Sequence, residues 1–312
     1  MRYFLPKKKN FPIVLTNARR YVKITPKNRY MRYKGEKMKK ILSLITALLV
    51  AAVGIFAMSA CGNNNESSSS TEEFEEMDTI RIEKKNVLMI AHRGLSGLKT
   101  ENTLSAFIAA GKCSYYGIET DVHVTKDGKY VISHDENLSR VFGLDVNIHT
   151  STYEELKKIE ITDKETGEVL TVPSLREYLD VCKKYNKVSI LELKDDFNKQ
   201  QLEEIIQEVK DAGMSDNIVY ISFFAEALKK MRELLPNAKL QFLTGKVDEE
   251  TINFMLEYNL EIDCICTVLN EESIPLLKQH GIKINCWTVN DAFTAEKLVD
   301  LGVDYITTNI LE

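Results

Sequence analysis

From Ile80 to the last residue, the chain alternates short apolar runs with longer amphipathic segments. The short runs have the length and composition of buried strands, and the longer segments have the apolar spacing of helices. The predicted strands are Val87–Ala91, Gly117–Val122, Val188–Leu193, Ile218–Ser222, Lys239–Leu243, Ile262–Cys266, Lys283–Thr288 and Tyr305–Thr308. The predicted helices are Leu104–Lys112, Leu175–Tyr185, Lys199–Ala212, Ala225–Leu235, Glu249–Tyr258, Glu272–His280 and Ala292–Leu301.

Eight strand–helix units over about 225 residues predict an α/β fold, a (β/α)8 TIM barrel. A doubly wound open sheet is the rival architecture, but it would need a glycine-rich phosphate loop after the first strand, and none is present. Residues of about 135–173 interrupt the alternation between the second strand and its helix. We interpret them as a small insertion beside the mouth of the barrel.

Charged side chains stand at the ends of the predicted strands, where barrel enzymes place their chemistry. His92 and Arg93 follow the first strand, and Lys194 follows the third. Lys194 is the predicted phosphate partner, together with Arg93. Trp287 and Phe223 also fall at strand ends, where they could form an apolar wall for the substrate or simply pack the barrel.

Three carboxylates predict a metal site. Glu119 and Asp121 lie two residues apart in one strand, so their side chains project to the same side. Strands of this fold are buried on both faces, and unpaired buried carboxylates are too costly to be idle. Glu192 supplies a third oxygen ligand. Because the set contains no cysteine, it predicts a hard divalent cation, Ca²⁺ or Mg²⁺, rather than zinc.

Two histidines, His92 and His134, are the predicted proton-transfer groups, because imidazole titrates near neutral pH. The sequence leaves open which one is the acid and which the base. His123 shares the strand face of the carboxylates, but we do not assign it as a ligand. Two further histidines, His149 and His280, are interpreted as surface residues. Glu101 either leans over the site or caps the following helix.

Several short motifs in this order resemble the glycerophosphodiester phosphodiesterase family. They are H-R-G at 92–94, E-N-T at 101–103, E-x-D-V at 119–122, T-K-D-G at 125–128, H-D at 134–135, E-L-K at 192–194, S-F at 222–223 and W-T-V-N at 287–290. The resemblance covers roughly Val87 to Asn309 and implies the same barrel with a similar insertion. Thr100 stands where the family usually has proline, and Thr308-Asn309 where a Thr-Asp pair is common. We expect neither departure to touch the metal or acid/base residues.

The resemblance implies metal-dependent hydrolysis of glycerophosphodiesters to sn-glycerol 3-phosphate and an alcohol. Direct attack by water and formation of a cyclic phosphate by the glycerol hydroxyl both remain open. Two other functions are alternatives: a phospholipase of the same barrel group acting on lysophospholipids or phosphatidylinositol, and a solute-binding lipoprotein without catalysis. A binding role alone would need no pair of proton-transfer groups.

The first part of the chain has a different character. Residues 1–40 hold 14 of the 41 basic residues and one of the 46 acidic ones. The rest of the chain, which we call the acidic body, therefore has a net charge of −18. An acidic body argues against nucleic-acid binding, which requires a basic surface. The sequence identifies no protein partner, so the expected partners are a small-molecule diester and a membrane.

The membrane is inferred from an uncharged apolar run, Ile41–Ala60, that follows a basic stretch and precedes Cys61. This pattern resembles the signal of bacterial lipoproteins, in which the cysteine is lipidated after cleavage. We therefore interpret 1–37 as a mis-assigned or extended N-terminus, 38–60 as a signal peptide, 61–79 as a lipidated cysteine with a flexible polar linker, and 80–312 as the barrel. The expected location is the outer side of the bacterial cytoplasmic membrane. An uncleaved anchor helix is the alternative.

Overall fold

The computed structural model describes residues 77–163 and 166–312. The predicted signal peptide, Cys61 and most of the linker lie outside these residues. Within them, eight parallel strands alternate with seven helices. The strands are β1 (Leu88–Ala91), β2 (Gly117–Val124), β3 (Val188–Leu193), β4 (Ile218–Ser222), β5 (Lys239–Thr244), β6 (Glu261–Ile265), β7 (Ile284–Trp287) and β8 (Tyr305–Thr308). The helices are α1 (Leu104–Lys112), α2 (Leu175–Lys184), α3 (Lys199–Asp211), α4 (Ala225–Leu234), α5 (Glu249–Tyr258), α6 (Ser273–Gln279) and α7 (Ala292–Leu301).

The eight strands form a closed ring. Each strand pairs in parallel with the next one along the chain, and β1 pairs with both β2 and β8. Ile90 in β1 is the register partner of Gly117 on one side and of Thr307 on the other. The predicted (β/α)8 barrel is therefore confirmed, and the open sheet is excluded because that architecture leaves two unpaired edges.

The helices pack on the outside of the ring through one apolar stripe each. In α3, residues Leu202, Ile205, Ile206 and Val209 are buried, which is the i, i+3, i+4, i+7 spacing of a single helix face. Five of these seven helices begin after a residue whose side chain caps the first turn. In α2, for example, Ser174 and Glu177 form a capping box, so the first backbone N–H groups are satisfied and the helix begins at a fixed residue.

The ring encloses two kinds of buried side chain. An apolar cluster fills much of the interior and consists of Ile90, Ile190, Val219, Ile221, Leu243 and Tyr305. Neutral polar side chains of β5, β7 and β8 form a hydrogen-bonded chain beside it: Asn285 donates to Gln241 over 3.1 Å, and Thr307 donates to Asn285 over 3.2 Å. Gln241 in turn donates to Glu261 over 2.9 Å, so the chain of hydrogen bonds ends on a carboxylate at the start of β6.

The segment between β2 and α2 departs from the alternation. Its first strand, Tyr130–Ile132, runs antiparallel to the end of β2 and forms a hairpin with it. The remaining elements are the helix Ser139–Phe142, the 3-10 turn Ile148–Thr150, the helix Tyr153–Lys157 and the strand pair Glu160–Thr162 and Val169–Thr171. They enclose a small core of their own, formed by Val131, Leu138, Phe142, Ile148, Leu156 and Val172.

No helix within the described ranges has both the length and the apolar character needed to cross a bilayer.

Candidate active site

The turn after β1 places two side chains at the mouth of the barrel. His92 and Arg93 follow the last strand residue, and Arg93 has a left-handed backbone with φ of 56°. This conformation turns the Arg93 backbone N–H toward Glu119, to which it donates a 2.8 Å hydrogen bond. Gly94, with φ of 79°, passes so close to α1 that a Cβ would lie 2.6 Å from Ala106. Only glycine fits there, which is the physical reason for the H-R-G pattern.

Three carboxylates meet where β2 and β3 end. Glu119 and Asp121 alternate along β2, and Asp121 is the register partner of Glu192 in β3. One oxygen from each lies within 4.8 Å of the others, and all three side chains are buried. The structure thus brings together the three predicted metal ligands.

The carboxylates repel one another. Burial, followed by the charges of Asp121 and Glu192, raises the pKa of Glu119 well above its ordinary value. Burial and the charge of Asp121 likewise raise the pKa of Glu192. Burial also acts to raise the pKa of Asp121, but Lys194 and Arg93 outweigh it, so this pKa lies below its usual value. Asp121 Oδ1 accepts no hydrogen bond from any described residue. Three oxygen donors, one of them without a hydrogen bond, fit a hard divalent cation such as Ca²⁺ or Mg²⁺.

Two basic side chains border the cluster, as predicted. Lys194 Nζ lies 3.2 Å from Glu192 Oε1 and 3.6 Å from Asp121 Oδ1. Arg93 Nε lies 3.5 Å from Asp121 Oδ2, while its Nη1 donates to Glu101 over 2.9 Å. Both cations also face the cavity at the mouth. They can therefore reach phosphate oxygens without leaving the carboxylates.

Glu101 takes the first of its two predicted roles. It accepts hydrogen bonds from Arg93 and, through both oxygens, from Arg140 of the insertion at 2.9 and 2.7 Å. The helix-cap alternative is wrong, because Thr103 caps α1 with its own side chain.

His92 is held as a neutral imidazole. Its Nδ1 lies 2.7 Å from Asn309 Oδ1, a pure acceptor, so Nδ1 carries the proton and Nε2 keeps its lone pair. That Nε2 lies 4.0 Å from Glu119 Oε2. Burial, followed by the charge of Arg93, lowers the pKa of His92 to about 4. The expectation that Asn309 stays clear of the acid/base residues is wrong, since the end of β8 closes against the start of the turn after β1.

His134 has a charged partner instead. Its Nδ1 lies 2.7 Å from Asp135 Oδ1, and Asp135 Oδ2 accepts a 2.6 Å hydrogen bond from Arg140. Burial, together with the charges of Lys194 and Arg93, lowers the pKa of His134 below its ordinary value. The charge of Asp121 and the contact with Asp135 act in the opposite direction. The hairpin after β2 carries His134 back over the carboxylates and into the same cavity as His92.

The cavity at the mouth has a volume of about 160 Å³. Its far wall is formed by Trp287 and Phe223, whose rings meet edge to face with centroids 5.8 Å apart. Phe223 is 46% exposed, so it is not simply barrel packing. The structure has larger surface depressions, including one of about 710 Å³ beside Arg140. The smaller cavity holds both histidines and two of the carboxylates, and we place the site there.

Two residues at this site were not predicted. Asn102 donates to Asp121 Oδ2 over 2.8 Å and accepts from Thr120, which fixes the carboxylate. Its place in the E-N-T motif was the available signal. Asp263 lines the cavity from β6, and its buried Oδ1 has no hydrogen-bond partner among the described residues. Burial raises the pKa of Asp263 well above its ordinary value. No pattern in the neighbouring sequence identifies Asp263 as a site residue.

Of the three other histidines, His280 ends α6 on the surface, as predicted. His149 is partly exposed, but its interpretation as a surface residue missed its contacts. Its Nε2 lies 3.4 Å from Asp195, which also lies 2.7 Å from His123.

Comparisons with known proteins identify the family of the chain. The model of the glycerophosphoryl diester phosphodiesterase family matches residues 92–312, from the first site histidine to the end of the chain. The chain belongs to this family. It is a phosphoric diester hydrolase of the glycerophosphodiester phosphodiesterase class, and the predicted family and enzyme class are confirmed.

Relatives cover the whole barrel. A glycerophosphodiester phosphodiesterase of Bacillus altitudinis is 31% identical over 232 residues, which span 71% of this chain and 94% of the relative. The crystal structure of a glycerophosphodiester phosphodiesterase from Parabacteroides distasonis is 31% identical with a TM-score of 0.61, over 72% of this chain and 93% of the other. A phosphodiesterase of Oleispira antarctica, solved with its product sn-glycerol-3-phosphate, is 26% identical with a TM-score of 0.67, over 71% and 92%.

Proposed function

We propose that this enzyme hydrolyses glycerophosphodiesters to sn-glycerol 3-phosphate and an alcohol, with the help of a divalent metal. The observation that carries the proposal is the convergence of three buried carboxylates and two imidazoles at one cavity. The product held by the Oleispira antarctica relative supports the same choice of substrate.

Glu119, Asp121 and Glu192 would hold the metal. The ion would supply Lewis-acid chemistry at phosphate oxygens and neutralise the charge that develops there. Arg93 and Lys194 bind the remaining phosphate oxygens. The arginine fork suits two oxygens at once, whereas lysine provides a single compact charge. Asn102 and the Arg93 backbone N–H keep Asp121 and Glu119 in place.

The two histidines divide the proton transfers. His92 is neutral with a free Nε2, so it accepts the proton of the attacking oxygen, whether that oxygen belongs to water or to the glycerol hydroxyl. His134 has Asp135 on its Nδ1, which stabilises the imidazolium against the opposing effect of burial, so of the two histidines it is the one that delivers a proton to the leaving alcohol. We therefore assign His92 as the general base and His134 as the general acid.

We also propose that the enzyme is a lipoprotein on the outer side of the cytoplasmic membrane. The apolar run Ile41–Ala60 and the following Cys61 support this location. In cells, Cys61→Ala should release the protein from membranes or leave its signal uncleaved. Membrane attachment at unchanged electrophoretic mobility would instead indicate an anchor that is never cut.

A coupled assay for glycerol 3-phosphate tests the activity directly. The purified enzyme is given glycerophosphocholine, glycerophosphoethanolamine, glycerophosphoinositol and a lysophospholipid, before and after exhaustive chelation. We expect release of glycerol 3-phosphate that stops on chelation and returns with Ca²⁺ or Mg²⁺. Full activity without metal would contradict the metal role. Release of the head-group alcohol from the lysophospholipid alone, with no glycerol 3-phosphate from the other three substrates, would favour the phospholipase alternative.

A further inference from the structure

A second cluster of ligand-type side chains lies beside the first. His123 comes from the end of β2, Asp195 from the loop after β3, and His149 from the 3-10 turn of the insertion. The His123 Nδ1 to Asp195 Oδ1 distance is 2.7 Å, and the His149 Nε2 to Asp195 Oδ1 distance is 3.4 Å. The two rings meet edge to face with centroids 5.5 Å apart. One ligand atom from each residue lies within 4.8 Å of the others.

The atoms that face away from the cluster are all held by the backbone. His123 Nε2 lies 3.3 Å from the His134 carbonyl oxygen, and His149 Nδ1 lies 3.0 Å from the Val124 carbonyl oxygen. Asp195 Oδ2 accepts a 2.8 Å hydrogen bond from the Val124 N–H. Histidines that bind metal commonly donate their other ring N–H to a carbonyl in this way, which fixes the tautomer and aims the free nitrogen. Here this outer support exists for every member of the cluster.

The inward-facing contact of His149 is unfavourable unless a cation joins it, whereas His123 Nδ1 and Asp195 Oδ1 already lie at hydrogen-bond distance. Because Nδ1 of His149 donates to a carbonyl, its Nε2 in the neutral ring presents a lone pair. That lone pair faces Asp195 Oδ1 at 3.4 Å and Glu136 Oε2 at 3.7 Å, and both of these are acceptors. A proton or a metal ion must bridge such a contact.

We propose that His123, His149 and Asp195 form a second metal site, selective for a transition-metal dication of the zinc class. Two imidazole nitrogens and one carboxylate oxygen are donors that suit Zn²⁺, whereas the all-oxygen set of the first site suits Ca²⁺ or Mg²⁺. Glu136 lies close enough to His149 to complete a four-coordinate shell. This site is independent of the proposed reaction.

The ion would join three separate parts of the chain. His149 and Glu136 belong to the insertion, His123 to the barrel strand β2, and Asp195 to the loop after β3. His123 also bonds the backbone of His134, which lines the active-site cavity. Metal binding would therefore fasten the insertion to the barrel next to a proton-transfer residue.

Metal titration of the full chain tests the proposal. Untagged protein is stripped by chelation and titrated with Co²⁺, whose visible absorption reports imidazole ligation, and with Zn²⁺ by calorimetry. Glu192→Gln removes a ligand of the first site, His149→Gln removes one of the second, and His280→Gln is the matched control on an exposed histidine. We expect Glu192→Gln and His280→Gln to keep one tight Zn²⁺ equivalent. His149→Gln should lose at least about 100-fold in affinity, since even loss of an outer-shell partner costs 10–100-fold.

Asp195→Asn provides a second ligand variant and should weaken Zn²⁺ binding in the same way. Thermal melting of the metal-free variants establishes that they fold, and zinc should raise the Tm of the wild type but not that of His149→Gln. The proposal is overturned if folded His149→Gln binds Zn²⁺ within threefold of the wild type. It is also overturned if Glu192→Gln alone abolishes all zinc binding.

Discussion

The two halves of the barrel present different chemistry at the mouth. Strands β1 to β3 lead to the charged groups, namely His92, Arg93, Glu119, Asp121, Glu192 and Lys194. Strands β4 to β8 contribute neutral side chains, with Phe223 and Trp287 at the rim and hydrogen-bonded amides and hydroxyls below. The exception is Asp263, a buried carboxyl whose pKa burial raises well above its ordinary value. Under the proposed function, the first half would bind the phosphate that every substrate of the class contains. The second half would contact the part of the substrate that varies.

The largest expected effect comes from the carboxylates of the charged half. Glu192→Gln or Asp121→Asn should lower kcat/KM by roughly 10³-fold or more, because a metal contributes several kcal/mol of charge stabilisation in the transition state. Glutamine and asparagine keep the side-chain size, so the fold should survive. Measurement of kcat/KM on glycerophosphocholine checks this, with exposed Glu257→Gln as the control. Near-normal rates would mean that the three carboxylates do not act as one site.

The histidine substitutions His92→Ala and His134→Ala rank next, and each should lower kcat/KM on the natural diester by about 10²–10⁴-fold. His134→Ala should regain much of its rate on a nitrophenyl ester, because that leaving group needs no proton. His92→Ala should stay slow on both substrates, since the attacking oxygen must still lose a proton. His280→Ala serves as the control. Recovery in His92→Ala alone would reverse the assignment of base and acid.

Substitutions in the neutral half should alter selectivity more than rate. Trp287→Ala and Phe223→Ala each remove part of the apolar wall, and such contacts typically change discrimination by about 10–200-fold. We expect the ratio of kcat/KM between choline, ethanolamine and inositol diesters to change, while kcat on the best substrate falls less than in the histidine variants. An equal loss of kcat/KM on all diesters would instead place these two rings at the phosphate site that the substrates share.

The smallest expected effect concerns stability. The pKa of Asp263 is raised in the folded protein, so the group ionises first in the unfolded chain. Stability is therefore fully present below the ordinary carboxyl pKa of about 4 and decreases as the pH rises, by at most about 1.4 kcal/mol per pH unit. Asp263→Asn removes this dependence, so its Tm relative to the wild type should rise from pH 4 to pH 8. Exposed Asp216→Asn should show no such trend, and a flat difference for Asp263→Asn would contradict the burial argument.

The sequence predicted the parts of the molecule that depend on local periodicity. All eight barrel strands were identified, and strand alternation was sufficient to put Glu119 and Asp121 on one side. Strand ends were less accurate. The second strand extends to Val124 rather than Val122, because the antiparallel segment Tyr130–Ile132 continues its pairing. Such pairing depends on a partner that the strand's own residues do not reveal.

The missed contacts join residues far apart along the chain. Asn309 meets His92 across 217 positions, and Asp195 meets His123 across 72. Neither is encoded by a local pattern, because closure of the ring and the path of the insertion decide which side chains meet. Asp263 was missed for a related reason. A single carboxylate in an apolar strand can be recognised as a site residue only when the cavity that it faces is known.

The hairpin after β2 gives the two proposed proton-transfer groups different supports. His92 follows a strand paired on both sides within the closed ring, whereas His134 follows a three-residue strand paired in the sheet with β2 alone. The other side of that short strand is held by the insertion, because the Ile132 N–H donates to the Pro173 carbonyl over 2.8 Å and Val131 is buried in the insertion core. The position of His92 therefore depends on closure of the ring, and that of His134 depends on correct packing of the insertion. A substitution that loosens the insertion core would displace one histidine and leave the other, together with the three carboxylates, where it is.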